Sequence, residues 1–520
     1  MRRIASTPKV PVIDLFAGPG GLGEGFSVYE FRGKRAYNVR LSVEKELIAC
    51  NTLILRRFFH LAGKPNAEYY EYLRGSLPRE ELFDRHPVAA RAAISSIWCA
   101  ELGKEPQHNV NARVSRALGR ARAWVLLGGP PCQAYSIVGR SRMQRTHRDF
   151  ESDERHFLYR EYLRIVAKHA PPVFVLENVK GLLSAKHGGE GIFHRILSDL
   201  AAPGKALRIP GKKGLSYRLH AISPNAKQQE FMSNADKLQA SDFLLFSEQH
   251  GIPQARHRVF IIGVRSDIKD IPERLEFEST VDASSVLDDL PAIRSCLSQE
   301  SDSYEAWVHA IRQIESYEWM ACKGDDPLAP VVREVRSAIQ SMTTQVLNNG
   351  ALFAAHTRGP PSLKNWYRKD MVGITQHEAR SHMREDLHRY LFSACYARIH
   401  GVSPHLRDFP KELLPDHANR DKAVKGEMFG DRFRLQIPDR PATTITSHIS
   451  KDGHYFIHYA PEQCRSFTVR EAARIQTFPD NYWFEGNRTE QYHQVGNAVP
   501  PLLARKIAAL VYSVLDGWKS

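Results

Sequence analysis

Cysteine is sparse and scattered in this 520-residue chain: the seven residues, at 50, 99, 132, 296, 322, 395 and 464, form no CxxC pair and no other metal-ligand spacing. That argues against a zinc site and a disulfide framework, and for a reducing compartment. Long apolar runs are missing too. None approaches the eighteen or so residues that cross a bilayer, and the first strand-like segment begins near residue 10 with no signal-type apolar stretch before it. The expectation is a soluble, cytoplasmic protein with no membrane partner. Internal repeats and low-complexity tracts are also absent. Acidic residues are in deficit, 58 against 72 Lys and Arg, for a formal net charge of +14. Such a surplus favours a polyanionic partner, nucleic acid first, although self-repulsion for solubility would use the same charge.

What is present is ordinary folding material, 42% hydrophobic and 25% charged, in a chain long enough for two compact units. Short β-branched and aliphatic runs recur at 10–15, 39–43, 123–127, 173–177, 243–247 and 259–264, and read as buried strands. Helical spacing between several of them, as at 160–168, predicts alternating βα units and a doubly wound, mostly parallel α/β domain. From about 270 to 435 the strand rhythm fades. A helix is predicted over 383–399, with Met383, Leu387, Tyr390, Leu391 and Ala394 on one face and Gly401 as its stop. Strand pattern resumes at 441–446 and 455–459, and a last apolar helix is expected over 501–515. The middle therefore reads as an insertion between two parts of one core. Boundaries are a first core part at 1–270, an inserted region at 271–435, and a returning part at 436–520.

Ligands of doubly wound sheets lie beyond the carboxyl ends of the strands, and four of these runs end in unusual polar or glycine-rich sequence. The first leads into DLFAGPGGLGEG, residues 14–25, a turn that lets a nucleoside-containing ligand approach the backbone, though a tight structural turn would use the same residues. Glu44 ends the second strand, where a carboxylate can accept from both ribose hydroxyls. The third ends in GGPPCQ, residues 128–133. Two prolines fix the backbone there and present Cys132 just past the strand, a placement suited to a nucleophile. Glu177 and Asn178 leave the fourth run in LENVKGL, where a carboxyl can move protons. Gln254, Arg256 and Arg258 alternate ahead of the run at 259–264, so strand geometry would put all three on one face, with two guanidiniums for an acceptor-rich ligand. His377, His382 and His388 lack a paired acid or cysteine set, and no metal is expected.

In this order the pieces resemble the DNA cytosine-C5 methyltransferase family. DLFAGPGG is similar to its cofactor loop, PCQ to its catalytic loop, ENV to its proton-handling motif, QARHR to its cytosine-holding strand, and REAARIQTFPD with GNAVPP to its carboxyl-terminal elements. The resemblance implies a Rossmann-like, S-adenosylmethionine-dependent methyltransferase core carrying a smaller inserted target-recognition domain at 271–435, with RPATTIT, residues 440–446, bracing it. It implies that Phe16, Ala17, Gly18, Gly20, Gly21, Glu44, Pro131, Leu158, Asn497 and Val499 line the cofactor site, and that the last helix packs beside the cofactor loop. Cys132, Glu177, Arg256 and Arg258 would face the cytosine. The family's third-motif acid, which meets the adenine amino group, has no clear counterpart between 100 and 122. Lys45 follows Glu44 where some members carry an apolar or aromatic residue.

The chemistry expected from the resemblance is addition of the Cys132 thiolate to C6, which makes C5 able to attack the sulfonium methyl and leaves S-adenosylhomocysteine. Glu177 would meet N3 and Arg258 the O2 oxygen. Duplex DNA is the expected partner, with the cytosine flipped out. The segment from Ala134 to Arg160 suits a loop over DNA, with Gln133, Ser136, Arg140 and Arg142, then Arg145, Arg148 and Arg155, at DNA together with Gln254. A restriction–modification or phage-defence methylase associated with the nucleoid is implied, with cognate restriction or defence proteins as possible partners. The rival readings are an RNA cytosine-C5 methyltransferase and a non-catalytic DNA-binding regulator of the same fold. Retention of Cys132 and Glu177 argues against the second.

Overall fold

A computed structural model describes residues 9–63, 67–131, 155–187, 190–211, 214–227, 230–231, 239–355, 359, 362–368, 373–416, 420–426 and 429–519. The chain forms two compact units. The first comprises 1–66, 80–279 and 498–520, and the second 67–79 and 280–497. The inserted body is thus bounded at 280, close to the expected 271, but the chain re-enters the first unit at Ala498 rather than at 436.

The first unit is built on a sheet that has nine strands among the described residues. In chain order they are β1 (Val10–Leu15), β2 (Tyr37–Glu44), β3 (Ile97–Cys99), β4 (Val125–Gly128), β5 (Val173–Val179), β6 (Tyr217–His220), β7 (Glu230–Phe231), β8 (Leu244–Phe246) and β9 (His257–Arg265). They lie side by side as β7-β6-β9-β5-β4-β1-β2-β3, with β8 paired to β9. β1 to β5 are mutually parallel, while β9 runs antiparallel to β5, and β6 antiparallel to β9. β1 is buried at every position, as a strand covered on both faces must be.

Alternation divides its side chains between two layers. Ile13 and Leu15 join a core formed with α3 (Gln107–Leu118), α4 (Arg155–His169) and α5 (Ile192–Ala201). On the opposite face Asp14 meets α1 (Gly21–Val28), where a Cβ on Gly23 would lie 2.7 Å from its Oδ2. The last helix, Pro501–Lys519, packs on α1 so closely that a methyl on Gly25 would overlap Ala504, and Tyr37 donates to Ala508 O at 2.8 Å. By length and composition the helical stretch Arg488–Trp518 could cross a bilayer, contrary to the expectation from the sequence. Its apolar window is 67% buried inside the fold, as a core helix is. α2 (Leu47–Leu61) meets the buried Glu24 of α1, with Arg56 paired to it at 2.5 Å and His60 hydrogen-bonded to it at 2.7 Å.

The second unit is mostly helical around its own core, with Tyr304–Arg312, Ala329–Thr344 and Arg384–His400 as main helices. The last of these ends on Gly401 at φ 69, as its sequence predicts. Leu387, Tyr390, Leu391 and Ala394 are buried. Met383 is not part of that face: it is the N-cap residue and 44% exposed, because the helix begins one residue later. The strands expected at 441–446 and 455–459 shrink to Ala442–Thr443 and the one residue Ile457, which bridges to Leu435 and to Ser466.

Candidate active site

Moving outward from β1, the strand order reads β3-β2-β1 on one side and β4-β5 on the other. The sheet therefore changes winding direction between β1 and β4, where doubly wound folds open a crevice beyond the strand ends. The glycine loop after β1 and the segment Gly129 to Pro131 after β4 both leave the sheet at this point.

The loop after β1 is shaped by three left-handed residues, Phe16 at φ 55, Gly18 at 55 and Gly20 at 95. Phe16 is the unusual member, because a side chain rarely adopts this conformation. Ala17 N–H donates to Val43 O at 3.1 Å and Gly20 N–H to Ala17 O at 3.0 Å, while Gly18 N–H donates to Glu44 Oε2 at 2.8 Å. The other Glu44 oxygen accepts from Lys45 and Glu46 N–H at 2.9 Å each. Three of about four acceptor positions on this carboxylate are therefore filled by backbone, with one left outward. Gly21 begins α1 beneath Val499, whose carbonyl oxygen would overlap any Cβ there. Phe16, Ala17, Gly18, Pro131, Leu158 and Val499 are partly exposed, and Gly20 and Gly21 are buried. Asn497 is exposed and is the last residue of the second unit, its side chain 3.3 Å from His493 Nδ1. Lys45 pairs with Glu46 at 3.5 Å in solvent.

On the other side of the crevice, Asn178 Nδ2 donates to Pro130 O at 3.1 Å and so ties the end of β4 to β5. Gly129 stands 3.0 Å, measured from an added Cβ, from Glu177 Oε2. Tyr162 of α4 lies against Gly128 and donates to Val175 O at 3.1 Å, bracing the same corner from below. Glu177 is in turn held by Arg258, Nε to Oε1 at 3.2 Å, both side chains largely buried. The pair forms across antiparallel strands, where Phe260 is opposite Glu177. Burial pulls the Arg256 and Arg258 pKa values down, and the Glu177 charge opposes this at both. They remain cations, as guanidiniums do.

Cys132, with Gln133, Ser136, Arg140, Arg142, Arg145 and Arg148, lies outside the described residues, and Arg155 opens α4. Gln254 does not share an open face with the arginines: it is fully buried. Gln254 N–H donates to Ile252 O at 2.7 Å and Arg256 N–H to Gln254 O at 2.9 Å. These tight turns break the strand alternation until His257, where β9 starts.

Three features escaped the sequence reading. β3 places Cys99 beside Glu44, with Ala100 N–H on Glu44 O at 2.8 Å, so the segment leaving β3 adjoins that residue. Trp98 there carries Arg113 over its ring at 5.5 Å. Asp14 is fully buried, its Oδ2 has no hydrogen-bond partner, and burial with the Glu44 charge raises its pKa to about 7.

The REAARIQTFPD and histidine segments belong to the second unit and form its interior. Arg474 is bonded to Asp480 and Asp289, Arg470 to the Thr375, Pro479 and Tyr482 carbonyls, and Arg465 to Glu471. Glu471 also closes a capping box with Thr468. His377 bonds Thr468 and Pro291, His388 bonds Tyr317 and Ala310, and His382 lies between Ser466 and Tyr390. Among the described residues no group of three His, Cys, Asp or Glu could hold a metal. RPATTIT meets the helix Arg488–Asn497 where Gly496 abuts the Thr446 and Ser447 backbone.

The crystal structure of an E. coli prophage-encoded protein covers 98% of the chain at TM-score 0.50 and 17% identity. With the strand order, this places the fold in the Rossmann-like methyltransferase class. In sequence, the chain is 33% identical to the Type II methyltransferase M.Bpa9945I of Bacillus paralicheniformis, over 97% of this chain and 99% of the relative. It is 25% identical to the Type II methyltransferase M.DdeI of Desulfomicrobium norvegicum, over 96% and 87%. Residues 93–204 and 241–512 match the family described as C-5 cytosine-specific DNA methylase, and the chain belongs to that family.

Proposed function

We propose that this DNA cytosine-C5 methyltransferase acts on a flipped-out cytosine within a specific duplex sequence through a covalent Cys132–C6 adduct, as the modification partner of a restriction–modification or phage-defence system. One observation carries the reading: Glu177 is paired with Arg258 at 3.2 Å, next to the turn that Asn178 anchors at Pro130, two residues before Cys132. A carboxyl, a guanidinium and the residues that lead into Cys132 meet at the carboxyl ends of β4 and β5.

The residues at the crevice fit S-adenosylmethionine. Partly exposed Phe16, Ala17, Pro131, Leu158 and Val499 offer apolar surface, and Glu44 keeps an acceptor position for ribose hydroxyls. Gly18, Gly20 and Gly21 shape the turn, and Asn497 is assigned with them. When bound, this cofactor supplies an electrophilic methyl group.

The remaining work falls to the chain. A free thiol has a pKa of about 8.5, so Cys132 needs a site that stabilises its anion. As the thiolate adds to C6, negative charge builds on the ring. Glu177 donates its carboxyl proton to N3 and Arg258 donates to the O2 oxygen, where that charge collects; once C5 carries the methyl, the C5 proton leaves to a base or water and the Cys132–C6 bond breaks, which restores the ring and the thiolate. Arg256 keeps a second cation behind them. Flipping costs a few kcal/mol, offset by phosphate contacts of Ser136, Arg140 and Arg142, with Gln133 beside them at the DNA. The region 271–435 is assigned to base reading, and the segment from Ala498 onward to closure of the catalytic core.

The test is transfer of labelled methyl from S-adenosylmethionine to duplex DNA of varied sequence, with matched RNA as control. Transfer to DNA cytosine is expected. Cys132→Ala should abolish turnover yet keep cofactor binding, and Glu177→Gln should slow single turnover by about 10²–10⁴-fold. Transfer only to RNA, or turnover retained without Cys132, would reject the reading.

A further inference from the structure

At the amino ends of the strands, away from the catalytic rim, Lys9, Arg40, Arg120 and Arg122 surround a cavity of about 370 Å³ floored by Pro11 and Leu118. The cations come from three separate stretches of the first unit. Arg40 owes its position to a register shift: Val12 pairs with Val39 and Ile13 with Leu41, so Arg40 is an extra, exposed residue in an otherwise mostly buried strand. Bulges of this kind re-aim a side chain. Its guanidinium donates to Ala117 O and Leu118 O at 3.2 Å, closing the carboxyl end of α3 beside the cavity. Among the described residues none of the four cations has a carboxylate within ion-pair distance. The local sequence is as one-sided: from 106 to 131 there is no Asp or Glu, and four arginines, at 113, 116, 120 and 122. Four unpaired like charges around one concavity raise the local potential and concentrate anions there.

We propose that this cavity is a second DNA-backbone site, which binds phosphates of duplex DNA outside the segment being methylated. β1 rises about 3.3 Å per residue, so its two ends, cavity and rim, are separated by roughly 17 Å. Arginine's planar fork suits phosphate oxygens, and the site reads no base. It holds the enzyme on non-target DNA between recognition events.

The experiment uses the full chain and a cytosine-free dA·dT duplex, which cannot engage the cytosine site, so its outcome is independent of the catalytic reading. Binding of the wild type and of a Lys9→Ala, Arg120→Ala, Arg122→Ala triple variant is measured by anisotropy between about 50 and 200 mM salt. Arg40 is left in place because it caps α3. Loss of three phosphate contacts should reduce the slope of log K against log salt by about 2.7, at 0.9 per contact. The charge-keeping variant Lys9→Arg, Arg120→Lys, Arg122→Lys should restore most of it. Methyl transfer at saturating short duplex should be unchanged. An unaltered slope in the alanine variant overturns the proposal. So does loss that the charge-keeping variant fails to rescue, which would mean damaged folding. Tight pyrophosphate binding at the three residues without a change in slope would assign the cavity to a small phosphate compound and overturn it as well.

Discussion

A carboxyl group buried at the end of β1 sets the terms at the residue scale. Asp14 sits behind the glycine loop that follows β1, its pKa raised to about 7 by burial and by Glu44. A folded-state value above the unfolded one favours the protonated form, so this group costs stability as pH rises from about 4 through 7. The shift corresponds to something on the order of 4 kcal/mol once ionised. Asn carries no such charge. Asp14→Asn should therefore melt progressively higher relative to wild type as pH goes from about 5 to 8, read by calorimetry; a constant difference across that range would show that Asp14 does not ionise in place. The same residue shows why sequence reasoning stops short. An aspartate ending an apolar run reads as a polar exit to solvent, and only the approach of Gly23 reveals that it is enclosed.

Elements were legible in proportion to their burial pattern. β1 and β5 are continuous apolar runs because parallel central strands are covered on both faces, and both lie where the run predicts. β3 and β6, of three and four residues, are too short for any period to emerge. Ile445, Phe456 and Ile457 are buried by irregular backbone, so an alternating pattern was taken for strands. The turn after β4 was readable from GGPPCQ, whereas its anchor, Asn178 on Pro130, depends on pairing that no local signal encodes. Most opaque is the segment 470–480. Charged residues ordinarily mark surface, yet Arg470, Arg474 and Asp480 are all at 0% exposure, legible only as a family motif. Their pairing makes a firm prediction. Arg474→Met removes one of the two arginines paired with Asp480 and Asp289, leaving Arg368 alone against two carboxylates, and should destabilise the second unit by about 3–5 kcal/mol in denaturant titration; a loss below about 1 kcal/mol would show the network to be dispensable.

Across the whole molecule, buried histidines and paired carboxylates act in one direction. Burial lowers His60 and His377 to about 4 and His220 and His458 to about 3, and it lowers His382, His388 and His454 too. Each stays neutral in the fold while the unfolded chain takes up protons below about 6.5, so stability drains as pH falls from there. Glu24 and Glu471, held well below the carboxylate range by their arginine and histidine partners, lose their contribution from about 4.5 downward. Melting temperature should fall steeply below about pH 6, and a flat profile from 7 to 4 would refute this balance. The division of the chain also belongs to this scale: its return to the first unit at Ala498 follows packing between distant segments, which composition does not record.

The central claim is a transient bond between Cys132 and a pyrimidine carbon. A random-sequence duplex pool with 5-fluorocytosine in place of cytosine, incubated with the protein and S-adenosylmethionine, should trap a denaturation-resistant complex of one protein per strand, because fluorine at C5 cannot leave as a proton does. Peptide mass mapping should place the link at Cys132. If methyl transfer to ordinary DNA proceeds while no such complex forms, or if the link maps elsewhere, the account is contradicted.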